Sequence, residues 1–512
     1  MTIRFNDVWR RRVTAAIVET ESPVGVNLAS FEPAADNLTD DSDVFEDAIE
    51  AAVADVSQTL YVGRGNYYVP TLSLTINAPL RIIGSGAVLR GNGNNLFAST
   101  LDLRVSGLKL QDFGTIHAGN SGACDIFEMD SIVASGCSYL MTGASLARRL
   151  VVRGGSFSNF DAGLIVLDDG TVRQQAVFVD NIADGISRYI FRCRGMGSLF
   201  FRDNEITNLT STGYASTAAV ARAIQFGFDE GNWVEGNTFD KIEATDANAD
   251  IFYWTVGDLF FNNNRIGALS SVSGDARGIM EKSTIKKHAQ CSGNTLFING
   301  DGGYFTGSLL QLASVADADS AAAAIISSNI AEKLILPLVH LFNDATTEAK
   351  RPRHVLVSGN TIKKHVGAIS ILRIAEGAYA VRVVGNTVGS HENENDLTPD
   401  FEANCRAVAV ATTTDATLTA DVEVHSNDIV FVDQTESRVS SLLWASALHA
   451  GNSIKIAAVG NTLSGATNLV RSRNVGGAID IVIGQTRLKS ALDADMNGSA
   501  LNSLSVSGSY SL

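Results

Sequence analysis

An asparagine followed two positions later by an apolar residue recurs from residue 204 to residue 463 of this chain, and nothing else limits its folding options so tightly. The copies are Asn204-Glu205-Ile206, Asn237-Thr238-Phe239, Asn264-Arg265-Ile266, Asn294-Thr295-Leu296, Asn360-Thr361-Ile362, Asn386-Thr387-Val388, Asn427-Asp428-Ile429 and Asn461-Thr462-Leu463, with Ser328-Asn329-Ile330 as a weaker member. From Asn204 to Asn461 the steps are 33, 27, 30, 35, 31, 26, 41 and 34 residues. Spacing of this order belongs to solenoids, in which one unit cannot bury its own apolar face and its neighbours do so. Each copy follows a short apolar-alternating run such as Leu199-Phe200-Phe201, Leu259-Phe260-Phe261, Val355-Leu356-Val357 or Val381-Arg382-Val383-Val384, which predicts short strands. At a corner between strands the asparagine amide can both donate to and accept from backbone groups, and the residue tolerates a left-handed backbone.

Leucine-rich repeats also stack asparagines, but with a stricter period and more leucine. A left-handed hexapeptide helix needs a six-residue pulse, which is absent. Unequal coils fit an all-β, right-handed single-stranded parallel β-helix, where loops swell out at one corner. The composition agrees: 46 glycines and seven prolines suit tight corners between stacked strands. Ahead of the repeats, Asp40-Asp41-Ser42-Asp43 offers an N-cap to Val44, Phe45, Ala48, Ile49 and Ala52 at helical spacing, so a short helix over about 43–54 is expected to plug the open end. Two short strands around a glycine turn follow, from Gln58 to Val69. The expected organisation is an attachment peptide over 1–24, the capping helix and opening strands over 25–95, the β-helix over 96–484 and a short Ser-, Gly- and Asn-rich tail over 485–512.

The helix start at Asp40-Asp41-Ser42-Asp43 with Phe45, Ala48, Ile49 and Ala52, followed by Leu60-Tyr61-Val62-Gly63-Arg64-Gly65-Asn66-Tyr67, resembles the opening motif of the pectate-lyase-like β-helix superfamily, which includes phage tailspikes. Arg64 stands where that family often has proline. The likeness covers about residues 40–70 and extends loosely along the asparagines to about 465. It implies a fold; within the superfamily the missing export signal, the short segment ahead of the helix and the short polar tail lead us to expect a tailspike: a homotrimer that joins phage tail or baseplate proteins through its N-terminus, binds bacterial surface polysaccharide, and is assembled in the host cytoplasm as part of the virion tail.

Charge and cysteine usage narrow the alternatives. A net charge of −16 argues against nucleic acid as partner, since that depends on clustered cations. No apolar run is long enough to span a membrane, and the run Val13 to Val18 after three arginines is too short for a secretory signal core. Cys124, Cys137, Cys193, Cys291 and Cys405 are scattered without metal-ligand spacing and are expected as buried small hydrophobes. Neither a cofactor fingerprint nor a metal site is expected, because Asp246 with Asp250 is too thin a carboxylate set.

Polar residues recurring at the coil step mark a candidate groove. Aligning Arg222–Phe226, Asp250–Trp254, Arg277–Glu281, Ser308–Leu312 and Pro337–Leu341 places Gln225, Tyr253, Glu281, Gln311 and His340 on one face, with Phe252, Met280, Leu310 and Val339 inward. Any exposed β-face alternates in this way, and a slip of one residue would exchange the faces. Beside the column, Phe228-Asp229-Glu230-Gly231-Asn232-Trp233 places two acids in a turn. Glycoside hydrolysis needs two carboxyl groups flanking the bond, so Asp229, Glu230 and Glu281 are the candidate catalytic residues. Trp233, Tyr253 and Trp254 are candidates for stacking on sugar rings, and Arg192, Gln225, Lys282, Gln311 and His340 for polar contacts. A lyase would instead draw a base from Arg192, Lys282, Lys286, Lys287 or His288. A solvated turn at Asp229-Glu230 with a packed Trp233, or adhesion without cleavage, stays open as the alternative.

Overall fold

The computed structural model describes residues 24–511 apart from 100, 120–124, 144–147, 173, 212–219, 246–247, 255–256, 272–275, 280–283, 286–287, 297–308, 313, 316–322, 335–336, 343–353, 376–378, 393–403, 413–418, 433–438, 448–450, 467, 475–476, 489–502 and 507–509. All its strands but two fall into three long stacks, every pairing parallel; Thr284–Ile285 and Ser314–Val315 pair separately. Sheet A runs from Val26–Asn27 to Ser503–Val506, sheet B from Asp36–Asp40 to Tyr510–Ser511, and sheet C from Leu74–Ile76 to Asn468–Asn474. Strands only two to nine residues long cannot bury an apolar face alone, and the stack does it for them. In sheet A the residues aligned with Leu60 are Ile82, Val105, Met129, Val152, Phe178, Phe201, Val234, Phe261, Cys291, Ile326, Val357, Val383, Val424, Ala458 and Ile483, an unbroken inward column. Equal side chains meet along it, as in the stacked rings of Phe178 and Phe201 at 5.1 Å, a contact worth about 0.5–1.5 kcal/mol beyond its area. The molecule is a right-handed parallel β-helix.

Ten asparagines among the described residues form one spine: Asn181, Asn204, Asn237, Asn264, Asn294, Asn329, Asn360, Asn386, Asn427 and Asn461, none more than 2% exposed. At each rung the bonding repeats. The Asn264 backbone N–H and Nδ2 both donate to Asn294 Oδ1 at 2.9 and 3.0 Å, and Nδ2 also donates to Val234 O at 2.9 Å. Asn329, the weak copy in the sequence, is a full rung, with its Nδ2 bonded to Cys291 O and Asn360 Oδ1. Asn181 adds a rung below the first copy read from the sequence and accepts from Gly155 N–H at 2.9 Å.

The conformational demand falls on the residue before each asparagine rather than on the asparagine itself. Asp180, Asp203, Gly236, Asn263, Gly293, Ser328, Gly359, Gly385, Ser426 and Gly460 all have φ between 53° and 70°. This left-handed requirement explains why small and polar residues precede the repeat. The same corner exists below the spine, with Gly107, Ser131 and Gly154 left-handed. There the register places Ala87, Leu108, Ile132 and Gly155 in the spine's column. One backbone turn thus accepts either an apolar or an amide filling.

The helix spans Ser42–Ala54 and buries Phe45, Ala48, Ile49 and Ala52 against the interior of the first coils. Its start differs from the expected cap. Asp41 makes no side-chain cap bond; its carboxylate accepts instead from the N–H groups of Ala34 and Ala35 at 2.7 and 3.2 Å. Coils begin ahead of residue 96, and Ser503–Val506 and Tyr510–Ser511 continue sheets A and B past 484, because Leu504 and Val506 alternate as the earlier strands do. The expected attachment peptide lies outside the described residues except for Val24. Cys137, Cys193, Cys291 and Cys405 are buried, with burial pushing the Cys137 and Cys193 thiols up to about 11 and 12; Cys124 lies outside the described residues. Among the described residues no helix is long and apolar enough to cross a membrane.

Candidate functional site

Strand register decides which candidate residues share a wall. In sheet C, Phe191 pairs with Ile224, Ile224 with Phe252 and Phe252 with Ile279. Ile279 then pairs with Leu310, and Gln311 with His340. Arg192, Gln225, Tyr253, Gln311 and His340 therefore occupy one column, which continues through Arg373, Ala409, Trp444 and Arg471. The sequence alignment slips at one coil. Asp250 pairs with Arg277, so Ile279 rather than Met280 stands opposite Phe252: the coil takes 27 residues, one fewer than the step from Tyr253 to Glu281. Glu281 and Lys282 lie outside the described residues, as do Asp246, Lys286 and Lys287. Trp254 is placed in its strand opposite Phe226.

The outer face around this column is built from guanidinium groups on rings. Arg222 lies with its central carbon 3.4 Å from the Tyr253 ring centre, and its Nε is 2.9 Å from Asp250 Oδ2, both partners buried. Breaking such a buried pair by removing one partner costs about 3–5 kcal/mol, so the pair fixes Arg222 in place. Arg188 and Arg192 each lie 5.0 Å over the Tyr189 ring, and Arg194 lies 4.8 Å over Phe226. Tyr189 packs outside the main interior with Val166 and Val220, against Tyr139. Gln225 is 8% exposed, and its Oε1 accepts no hydrogen bond among the described residues. Further along, burial and the charge of Arg373 push His340 down to about 3, so its imidazole is neutral at ordinary pH. A ring held so far below neutrality is a poor proton acceptor for lyase chemistry and serves as a neutral hydrogen-bonding group.

Asp229 and Glu230 sit at the corner between sheets C and A. Their backbone N–H groups donate to Gly195 O at 2.9 Å and Gly197 O at 3.0 Å, and Ser198 Oγ donates to Glu230 Oε2 at 3.4 Å. Buried Asn232, passed over in the sequence as part of the turn, holds this corner: its Oδ1 accepts from Phe228 N–H at 2.7 Å, and its Nδ2 donates to Phe228 O and Asp258 O at 3.0 and 3.1 Å. Two glycines allow the coils to close on it. A Cβ at Gly195 would stand 1.8 Å from the Phe228 ring, and one at Gly257 2.4 Å from Asp229 O. Gly195→Ala should therefore destabilise the protein by at least about 1–3 kcal/mol through overpacking and displace the Asp229 turn; an unchanged melting temperature would contradict the tight seat of Phe228.

Trp233 faces away from this wall. It lies on the outer face of sheet A, between Phe200 at 4.9 Å and Phe260 at 5.3 Å, with interplanar angles of 9° and 13°. Both indole faces are covered, so only its edge is free to meet a sugar, unlike the open platform expected from the sequence. His288, another candidate base, is exposed on sheet A. Among the described residues no group of three or more His, Cys, Asp or Glu gathers to hold a metal.

No protein-family model matches the chain, and no curated protein does. Solved structures follow a similar course. Bacteriophage phi29 gene product 12, in its pre-mature form, aligns over 98% of this chain and 74% of its own at 12% identity and a TM-score of 0.39. The catalytic unit of a Streptomyces thermodiastaticus GH87 α-1,3-glucanase aligns over 96% and 69% at 12% identity, TM-score 0.24. The tailspike of Acinetobacter baumannii phage AM24 aligns over 84% and 54% at 12% identity, TM-score 0.17. Likeness at these identities concerns the course of the chain and not its chemistry.

Proposed function

We propose that this β-helix is a tailspike-like protein that binds a bacterial surface polysaccharide along the outer face of sheet C and hydrolyses it at the adjoining corner. The observation behind this reading is the single column of Arg192, Gln225, Tyr253, Gln311 and His340, flanked by Arg222 seated on the Tyr253 ring. Such a wall offers an extended polymer amide, guanidinium and neutral imidazole contacts at every coil, about 4.8 Å apart. Asp229 or Glu230 would supply one carboxyl group and Glu281 the other. Homotrimer formation and attachment to phage tail proteins through the N-terminus belong to the same reading.

Adhesion without cleavage is the second reading, favoured by the fact that the two described candidate acids are neighbours in one turn rather than facing groups. Purified protein incubated with capsule or lipopolysaccharide from its host separates the two: hydrolysis yields new reducing ends, whereas adhesion yields binding and an unshortened polymer. Asp229→Asn, Glu230→Gln and Glu281→Gln should include at least one that loses roughly 10²–10⁴-fold in rate. Full activity in all three would end the assignment.

A further inference from the structure

We infer that the polymer taken by sheet C is an acidic polysaccharide, recognised through its carboxylates by the arginines of that face; this rests on the polysaccharide reading and names its substrate class. Charge is distributed unevenly among the three sheets. The strands of sheet C contain eight arginines, three aspartates, and neither lysine nor glutamate. Those of sheet A hold seven basic and seven acidic residues, and those of sheet B eight and nine. A chain with a net charge of −16 thus confines its cationic surplus to the one sheet that holds the polar column. Screening at physiological salt reaches only about 8 Å, so a ligand lying on sheet C responds to that face and not to the net charge of the molecule.

The residue type and its setting point to carboxylates. Arginine presents a planar fork that matches a carboxylate in two parallel bonds, which lysine cannot do. Four arginines of sheet C strands lie on aromatic rings: Arg192 on Tyr189, Arg194 on Phe226, Arg222 on Tyr253 and Arg406, 4.4 Å from Trp444. A guanidinium lying on a ring has its plane fixed, so less freedom is lost when it grips an anion. The buried amide of Gln225 sits between the rungs of Arg192 and Tyr253, where a ligand hydroxyl would satisfy its Oε1. Double-stranded nucleic acid is the competing polyanion. It wants a broad cationic surface, whereas the surplus here is one sheet wide on an acidic body.

The test uses the full chain and a panel of purified bacterial capsular polysaccharides with acidic and neutral repeats, with double-stranded DNA as a further probe. An acidic capsule should be bound best, its carboxyl-reduced derivative should lose binding, and affinity should fall as salt rises. Arg373→Gln and Arg406→Gln should each weaken binding by about tenfold or more, with thermal melting used to confirm folding and Arg153→Gln on sheet A as control. Best binding to a neutral capsule, or equal binding of the reduced polymer, overturns the acidic class and leaves the polysaccharide reading in place. Binding to none of the capsules overturns both, and DNA held as tightly as the best capsule overturns both in favour of nucleic acid.

Discussion

Asn294→Ala should cost about 2–6 kcal/mol of stability, since each buried donor left unpaired costs about 1–3 kcal/mol. The substitution strands two such donors at once, the backbone N–H and Nδ2 of Asn264, both of which end on Asn294 Oδ1. It also removes the donors that reach Phe261 O and Asn329 Oδ1 at 2.9 Å. The next residue, Thr295, bonds through its backbone to Asn264 O and points its side chain outward, so Thr295→Ala should stay within about 0.5 kcal/mol. Denaturant unfolding of both variants makes the comparison. In a solenoid the damage is local, and limited proteolysis should first cut the coils on either side of residue 294. Equal midpoints for the two variants would remove the spine from the list of stabilising features.

Acidification should destabilise the protein well before its carboxylates protonate. Burial pushes His117 and His391 down to about 4, against 6.5 for an exposed imidazole. His391 meets His365 edge-to-face and stacks on Phe431, with Nε2–H donating to Gly367 O at 2.8 Å. The folded state needs these rings neutral, while the unfolded chain protonates them near 6.5. Their contribution is therefore complete above about pH 6.5 and lost progressively as pH falls towards 4, with a ceiling of about 3 kcal/mol for each ring. Carboxylates held low in the folded state, such as Glu392 beside Lys364, lose their contribution only below that window. Unfolding midpoints between pH 7 and 4 should slope downwards, and His391→Phe should flatten the slope. A flat profile in the wild type would refute the neutral interior rings.

The spine was legible because its physical demand falls on two adjacent letters, a left-handed residue and an amide. Asn181 escaped notice because Ile182 after it is exposed and breaks the visual pattern. Leu108 and Ile132 fill the same column with apolar groups, and nothing in the letters links them to asparagine; only the shared backbone corner does. The sheet C column is legible from polar residues at the coil step except at Ile279, where the coil is one residue shorter than its neighbour and corners vary in length without leaving a local signal. The Phe200–Trp233–Phe260 stack was hidden for another reason. Its members lie 33 and 27 residues apart and alternate with inward Phe201, Val234 and Phe261, so a string of apolar residues gave no sign of which ring faced out. Asn232 carries no signal beyond its residue type; its role exists only once the turn has closed.

From Asn181 to Asn427 each spine residue gives its backbone N–H and one Nδ2 proton to the next asparagine's Oδ1, while its Nδ2 also reaches a carbonyl of the preceding winding. A freshly made winding therefore leaves two of its three corner donors hanging until the following one emerges with an oxygen to meet them. Synthesis on the ribosome delivers windings in that order, beginning beside the Ser42–Ala54 plug, so the growing edge is the sole unsatisfied one and moves ahead with translation. A nascent chain stalled at any length should carry a finished body and one frayed rim, and that rim is where premature association between chains would start.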